Sequence, residues 1–125
     1  MNAILSVKPE YAMKILSGEK LYEYRKTVFH RPVDKVYIYA SSPVCMIVGE
    51  FRIDDIFEAT PSELWTATHT NSGVSRSFFF HYFKGKPKAY AIKVKDVVAY
   101  PIPVSPYKVR KDFKAPQSYI YVEEI

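Results

Sequence analysis

The sequence predicts an α+β fold: a small mixed sheet of about five to six strands, curled into a partial barrel, with two or three short helices at its ends. Three observations lead there. The 125 residues include 11 Tyr and 8 Phe beside a high β-branched content, and such side chains suit a pleated, half-buried surface. Nine prolines against four glycines indicate rigid turns. The segments run strand, helix, three strands, two helices, strand, loop, strand, an order too irregular for a doubly wound parallel sheet.

Ala3–Val7 reads as the first strand. Pro9 suits the first position of a helix, where its missing N–H costs nothing, and Tyr11, Ala12, Ile15 and Leu16 share one helical face. Gly18 can take the left-handed conformation that closes a helix, so residues 9–17 form a short one. Leu21–Arg25, Val36–Ala40 and Met46–Ile56 read as three strands, with Gly49 marking a bulge or a close backbone approach. Thr60-Pro61-Ser62-Glu63 has the spacing of a capping box, followed by Leu64 and Trp65 as core anchors. Ser75 caps another helix through SRSFFFHYFK, which ends at Gly85. Tyr90, Ile92 and Val94 alternate with Ala91, Lys93 and Lys95, which predicts a strand with one buried and one basic, solvated face. Residues 101–118, PIPVSPYKVRKDFKAPQS, read as a long Pro-rich basic loop, and Tyr119–Val122 as a final strand. No repeat, low-complexity tract or flexible linker interrupts residues 1–125, which read as one domain.

Composition narrows the function. With 48% hydrophobic residues, a core can form without disulfides or metal. The single cysteine, Cys45, excludes a disulfide-built secreted domain and suits a reduced, cytoplasmic setting. MNAILSVKPEY is too short and too early charged for a signal peptide, and no apolar run approaches the ~18 residues of a membrane span. The formal net charge of +5 is uneven: within residues 84–114 eight Lys and one Arg stand against two Asp, while the remainder of the chain is slightly acidic. Such a field attracts a polyanion; plain solvation of outward strand faces is the competing explanation.

Other chemistry is sparse. His30, His69 and His81 are far apart, and Cys45 has no neighbouring His or Cys, so no zinc site is expected. No Gly-rich phosphate loop is present and no cofactor is implied. Asp54-Asp55 reads as a solvated turn, Cys45 between Val44 and Met46 as a buried small hydrophobe, and His81 as a packed or half-exposed histidine. The FFFHYF run is mostly core; one edge of Phe78–Phe83 left exposed would offer a surface to a protein partner.

The densest charge pattern is GEKLYEYR, residues 18–25. In a strand, Glu23 and Arg25 share one face, and Tyr22 and Tyr24 the other. Lys20 lies in the turn after Gly18, where the pleat does not fix its direction, and from there it can swing over to meet Glu23. The three groups would then line one charged recess beside the end of the first helix. An exposed ion pair contributing about 0–1 kcal/mol would be the functionless alternative.

SVKPEYAMKILSGEKLYEYR, residues 6–25, resembles the opening of ASCH domains, whose Gly-x-Lys-x-x-Glu-x-Arg signature is complete here as Gly18, Lys20, Glu23 and Arg25. The similarity continues through VYIYASSP (36–43), IVGEF (47–51), the helix around Trp65, the segment around Phe79, Tyr82 and Gly85, and APQSYIYV (115–122). The resemblance implies a PUA-like mixed β-barrel with a cleft, acting as a module that binds RNA or a nucleotide in RNA processing or in the regulation of transcription or translation. Carried over, Lys20, Glu23 and Arg25 line the cleft. Lys8 enters from the SVKP turn, Ser41 and Ser42 from the SSP turn, and Gln117 and Ser118 from the PQS turn. Gly18 and Gly49 are implied to be structural.

The expected partner is single-stranded RNA or a nucleoside-like ligand. Arg25 can engage a phosphate or carbonyl bidentately, Lys8 and Lys20 can act as point charges, and Tyr22, Tyr24 or Tyr119 can stack on a splayed base. An enzyme is the alternative. One branch of the family hydrolyses acetylated cytidine with a Lys-x-x-Thr pair and a distant Glu. Here the Thr position is Glu23, and THTNSGVS (68–75) contains no acid. Other members are suspected of cutting RNA, and Lys20 with Glu23 would supply the acid–base pair of either chemistry. A binding module is the preferred expectation.

Overall fold

The computed structural model describes residues 1–125. Strand β1 (Asn2–Val7) leads into helix α1 (Pro9–Ser17), followed by β2 (Tyr22–Arg25), β3 (Val36–Ala40), β4 (Met46–Ala59), α2 (Pro61–Thr68), α3 (Arg76–Tyr82), β5 (Ala89–Val104) and β6 (Tyr119–Val122), with 3-10 turns at His69–Asn71 and Pro106–Lys108. The six strands form one curled sheet in the order β2-β5-β4-β3-β1-β6. Only β1 and β3 run parallel; the other pairs are antiparallel. The α+β half-barrel with three helices is the architecture the sequence predicts.

Local chemistry sets the helix ends. Pro9 opens α1, and Gly18 closes it at φ 86°, its N–H donating to the Ile15 carbonyl. In α2 the Thr60 side chain accepts from the Glu63 N–H while the Glu63 carboxylate accepts from the Thr60 N–H, completing the capping box. Ser75 caps α3 through the Phe78 N–H. Gly49 sits at a register shift in β4, and a Cβ there would lie 2.5 Å from the Val98 carbonyl oxygen and 2.6 Å from Leu16. It is the place where sheet and helix touch.

Three expectations change. β5 runs 16 residues and takes in Pro101 and Pro103, so the loop begins only after Val104. Prolines cannot donate to a ladder, and the β4–β5 pairing skips from Gly49–Ala99 to Ile47–Val104 across them. Asp54 and Asp55 lie within β4, which continues to Ala59, and Asp54 meets Lys93 at 3.6 Å. Ala91, assigned to a solvated face, is fully buried. The sheet is covered on both sides there: Ile92 and Val94 pack with α1, while Ala89 and Ala91 pack with Tyr24, Leu64, Phe79 and Phe83 under α2 and α3. A third cluster of Ile4, Tyr37, Tyr39, Ile47 and Phe113 lies beneath the segment after β5. The unbroken apolar run of VYIYA in β3 reflects burial on both faces.

Candidate functional site

The sheet does not close. Its two edges are β2 on one side and β6, beside β1, on the other. Arg25, at the end of β2, crosses that seam. One guanidinium nitrogen donates to the Ser6 carbonyl of β1 at 3.1 Å and to Glu23 Oε2 at 3.1 Å; the other donates to Ser118 Oγ, just before β6, at 2.8 Å. The Glu23–Arg25 pair is largely buried, as the shared strand face predicts. Buried ion pairs are costly unless further bonds satisfy them, and Ser6 and Ser118 supply those bonds to Arg25.

Lys20 behaves differently from expectation. It does not reach Glu23. Its Nζ donates to the Ser72 carbonyl at 2.6 Å and stands 4.9 Å from the centre of the Tyr24 ring and 5.5 Å from that of Tyr11. Backbone bonds explain the direction: the Lys20 N–H donates to the Lys14 carbonyl and the Leu21 N–H to the Asn71 carbonyl, so the turn is pinned against the loop before α3. Only 1% of Lys20 is exposed. Desolvation lowers its pKa to about 8; nearby Lys14 pushes the same way and Glu23 opposes. An ammonium carries three donors, and one is used.

Around these groups the seam opens into a cleft of about 780 Å³. Four cations (Lys8, Lys20, Arg25, Lys26) and a single carboxylate, Glu23, line it. Ser41, Ser42 and Gln117 also line it, so the expected turns from three parts of the chain converge there. Ser118 is not on the wall; it holds Arg25 from behind. The aromatic wall differs from the sequence assignment. Tyr22 packs on Phe57, and Tyr119 on Phe29 and Tyr121, away from the cleft. Tyr24 reaches the cleft but is buried, its hydroxyl 2.6 Å from Thr68 Oγ1. The lining rings include Tyr11, Phe78 and Tyr82: Tyr11 meets Phe78 at 5.5 Å, Phe78 and Tyr82 lie nearly parallel, and Lys26 sits 4.7 Å over Tyr82. Burial raises the pKa of Tyr11 and Tyr82; the Glu10 and Glu23 charges add to it at Tyr11, while at Tyr82 Arg25 opposes and Glu23 adds.

The expected aromatic partner edge is therefore part of this cleft: Phe78, His81 and Tyr82 turn inward to line it, while Phe79 and Phe83 are core. Helical spacing of 78, 81 and 82 was the signal for that face. Cys45 is exposed rather than buried, at φ 54° in the turn before β4, and it too lines the cleft together with Tyr39. The turn carries it clear of β4, which local apolar neighbours did not reveal.

A family model described as ASCH domain matches residues 5–110. The chain belongs to the ASCH domain family. Relatives of this ASCH domain include an ASCH domain-containing ribonuclease of Zymomonas mobilis subsp. mobilis, 29% identical over 98% of the chain and 85% of the relative. A large ribosomal subunit protein uL22 of Ureaplasma parvum is 28% identical over 96% of the chain, which spans only 39% of that protein. The crystal structure of ASCH from Zymomonas mobilis superposes with a TM-score of 0.91 at 27% identity, covering 98% of this chain and 88% of the other. The N-terminal domain of Staphylothermus marinus McrB shares the fold, at a TM-score of 0.55 and 14% identity over 90% of this chain and 80% of that one.

Proposed function

We propose that this ASCH domain binds single-stranded RNA across the cleft and cleaves it. The observation that carries the reading is Lys20: a cation 1% exposed, holding one acceptor, in a cleft with three further cations and one carboxylate. Its spare donors suit the non-bridging oxygens of a phosphate. The similarity to a ribonuclease over nearly the whole chain supports turnover, which moves the reading beyond the binding module preferred from the sequence.

The cleft suits a splayed nucleotide and is too small for a duplex. A base stacks on the Phe78–Tyr82 wall, a contact contributing roughly 1–3 kcal/mol, and Ser41, Ser42 and Gln117 supply donors and acceptors for its edge. Lys8, Arg25 and Lys26 neutralise phosphates. Glu23, oriented by Arg25 at 3.1 Å, takes the proton of a 2′-hydroxyl as its oxygen attacks the adjacent phosphorus. Lys20 stabilises the charge that develops there and gives a proton to the departing 5′-oxygen; a pKa of about 8 makes it a stronger acid than an ordinary lysine. The products are a 2′,3′-cyclic phosphate and a 5′-hydroxyl.

The test is incubation of a labelled single-stranded RNA and its duplex with wild type, Lys20→Met and Glu23→Gln, with analysis of the product ends. Cleavage of the single strand, 5′-hydroxyl ends and a loss of about 100-fold or more in each variant are expected. No cleavage by wild type, or unchanged cleavage by Lys20→Met, would overturn the reading, and 5′-phosphate ends would overturn the 2′-hydroxyl route.

A further inference from the structure

Behind Lys20, outside the cleft lining, lies a turn that supplies no side chain to the chemistry. Two successive carbonyls there hold two lysines: Ser72 accepts from Lys20 Nζ at 2.6 Å, and Gly73 accepts from Lys14 Nζ at 3.0 Å. Gly73 is left-handed at φ +70°, and a Cβ on it would lie 2.8 Å, 2.9 Å and 3.1 Å from the Cβ, Cγ and Cδ of Lys20. Those are stem atoms of a buried side chain, with no room to yield. The turn thus lies directly on the Lys20 stem, and the conformation that brings it there suits glycine. It is tied to the Lys20 segment on its other side as well, since the Leu21 N–H donates to the Asn71 carbonyl.

We propose that the Ser72–Gly73 turn is a positioning device for Lys20, a role that rests on the reading of the cleft as an RNA-cleaving site. It fixes the lysine stem by contact, occupies one ammonium donor so that the others address the cleft, and holds Lys14 nearby as a second positive charge. The groups facing Lys20 are Tyr11 and Lys14 on α1 and Glu23 and Tyr24 on β2. Lys8, Arg25, Lys26, His81 and Tyr82 share the same cleft. Lys14 is the one among these that opposes the Lys20 charge from outside the cleft. Removing its charge therefore lets Lys20 hold its proton to higher pH.

Two variants test this, each read by ¹³Cε NMR titration of labelled lysine and by the pH profile of RNA cleavage. Lys14→Gln, at a partly exposed position, should move the Lys20 midpoint and the alkaline limb of cleavage upward together. Gly73→Ala should lower cleavage at least about tenfold, as displacement of a reacting group does, and should cost nothing further in the Lys20→Met background. An unmoved Lys20 midpoint in Lys14→Gln, or a Gly73→Ala loss that simply adds to that of Lys20→Met, would overturn the proposal. If wild type leaves RNA intact while the midpoint shifts in Lys14→Gln, the influence of Lys14 on the Lys20 charge stands, and the RNA-cleaving reading falls together with the catalytic purpose of the turn.

Discussion

Two regions of this molecule gather charged and polar groups around tyrosines, and they partner them in opposite ways. At the far end of β3 the charges are matched. Tyr37 donates to Glu124 at 2.9 Å, Tyr100 donates to Glu50 at 2.7 Å, and Lys35 stands 3.5 Å from Glu50. Burial and the neighbouring carboxylate push Tyr37 up to about 12 and Tyr100 higher still, while the Tyr37 bond and the Lys35 charge lower Glu124. At the seam, Arg25 is matched by three acceptors, but Lys20 keeps donors in reserve. Lys20 is buried more deeply than Lys35 or Glu50, and it is also the group left incompletely partnered. A closed network stabilises the fold, whereas an open one costs stability and leaves a place for a ligand.

The largest effect expected on stability concerns Lys20. Its folded pKa of about 8 lies below its ordinary value of 10.5, so above pH 8 the unfolded chain holds a proton that the folded one releases. Stability conferred in this way grows as pH rises from 8 toward 10.5 and is lost as pH falls through 8. Lys20→Met lacks the effect. Between pH 7.5 and 9.5, urea unfolding should show wild type gaining about 2 kcal/mol relative to that variant; parallel profiles would show that Lys20 is not desolvated as described. At the closed network, Glu50→Leu strands the Tyr100 hydroxyl and the Lys35 amine and should cost about 1–3 kcal/mol while RNA cleavage is retained. Loss of cleavage at undiminished stability would erase the contrast between the regions. Smallest is Thr60→Ala, which removes the cap of α2 and should cost about 1 kcal/mol by thermal unfolding, with no change at either network.

What the sequence revealed follows the range of the interactions. α1 was legible to the residue because Pro9 and Gly18 fix its ends locally. The Glu23–Arg25 pair was legible because strand parity places both on one face. The Lys20 contact was not, since its partner is a backbone carbonyl 52 residues away, and a carbonyl has no residue signature. The aromatic wall was misassigned for a related reason. Tyr22 and Tyr119 lie beside the motif strands in sequence, but the wall comes from α1 and α3, which reach the cleft only when the sheet curls. Cys45 and the prolines of β5 show the limit of local rules, since a turn and a register shift placed them against their neighbours' indications.

In the proposal that the cleft binds RNA, the basic segment 84–114 supplies the long-range field and the cleft supplies the grip. Affinity for a short single-stranded RNA, titrated against salt, separates the two roles. Arg25→Ala should weaken binding by about 2–3 kcal/mol, a loss that persists at high salt because Arg25 also makes directed bonds in the cleft. Lys84→Ala, Lys86→Ala and Lys88→Ala should each cost less and lower the salt slope by no more than about 0.7. Equal losses at all four positions would contradict the cleft as the site and leave only diffuse attraction between a basic protein and a polyanion.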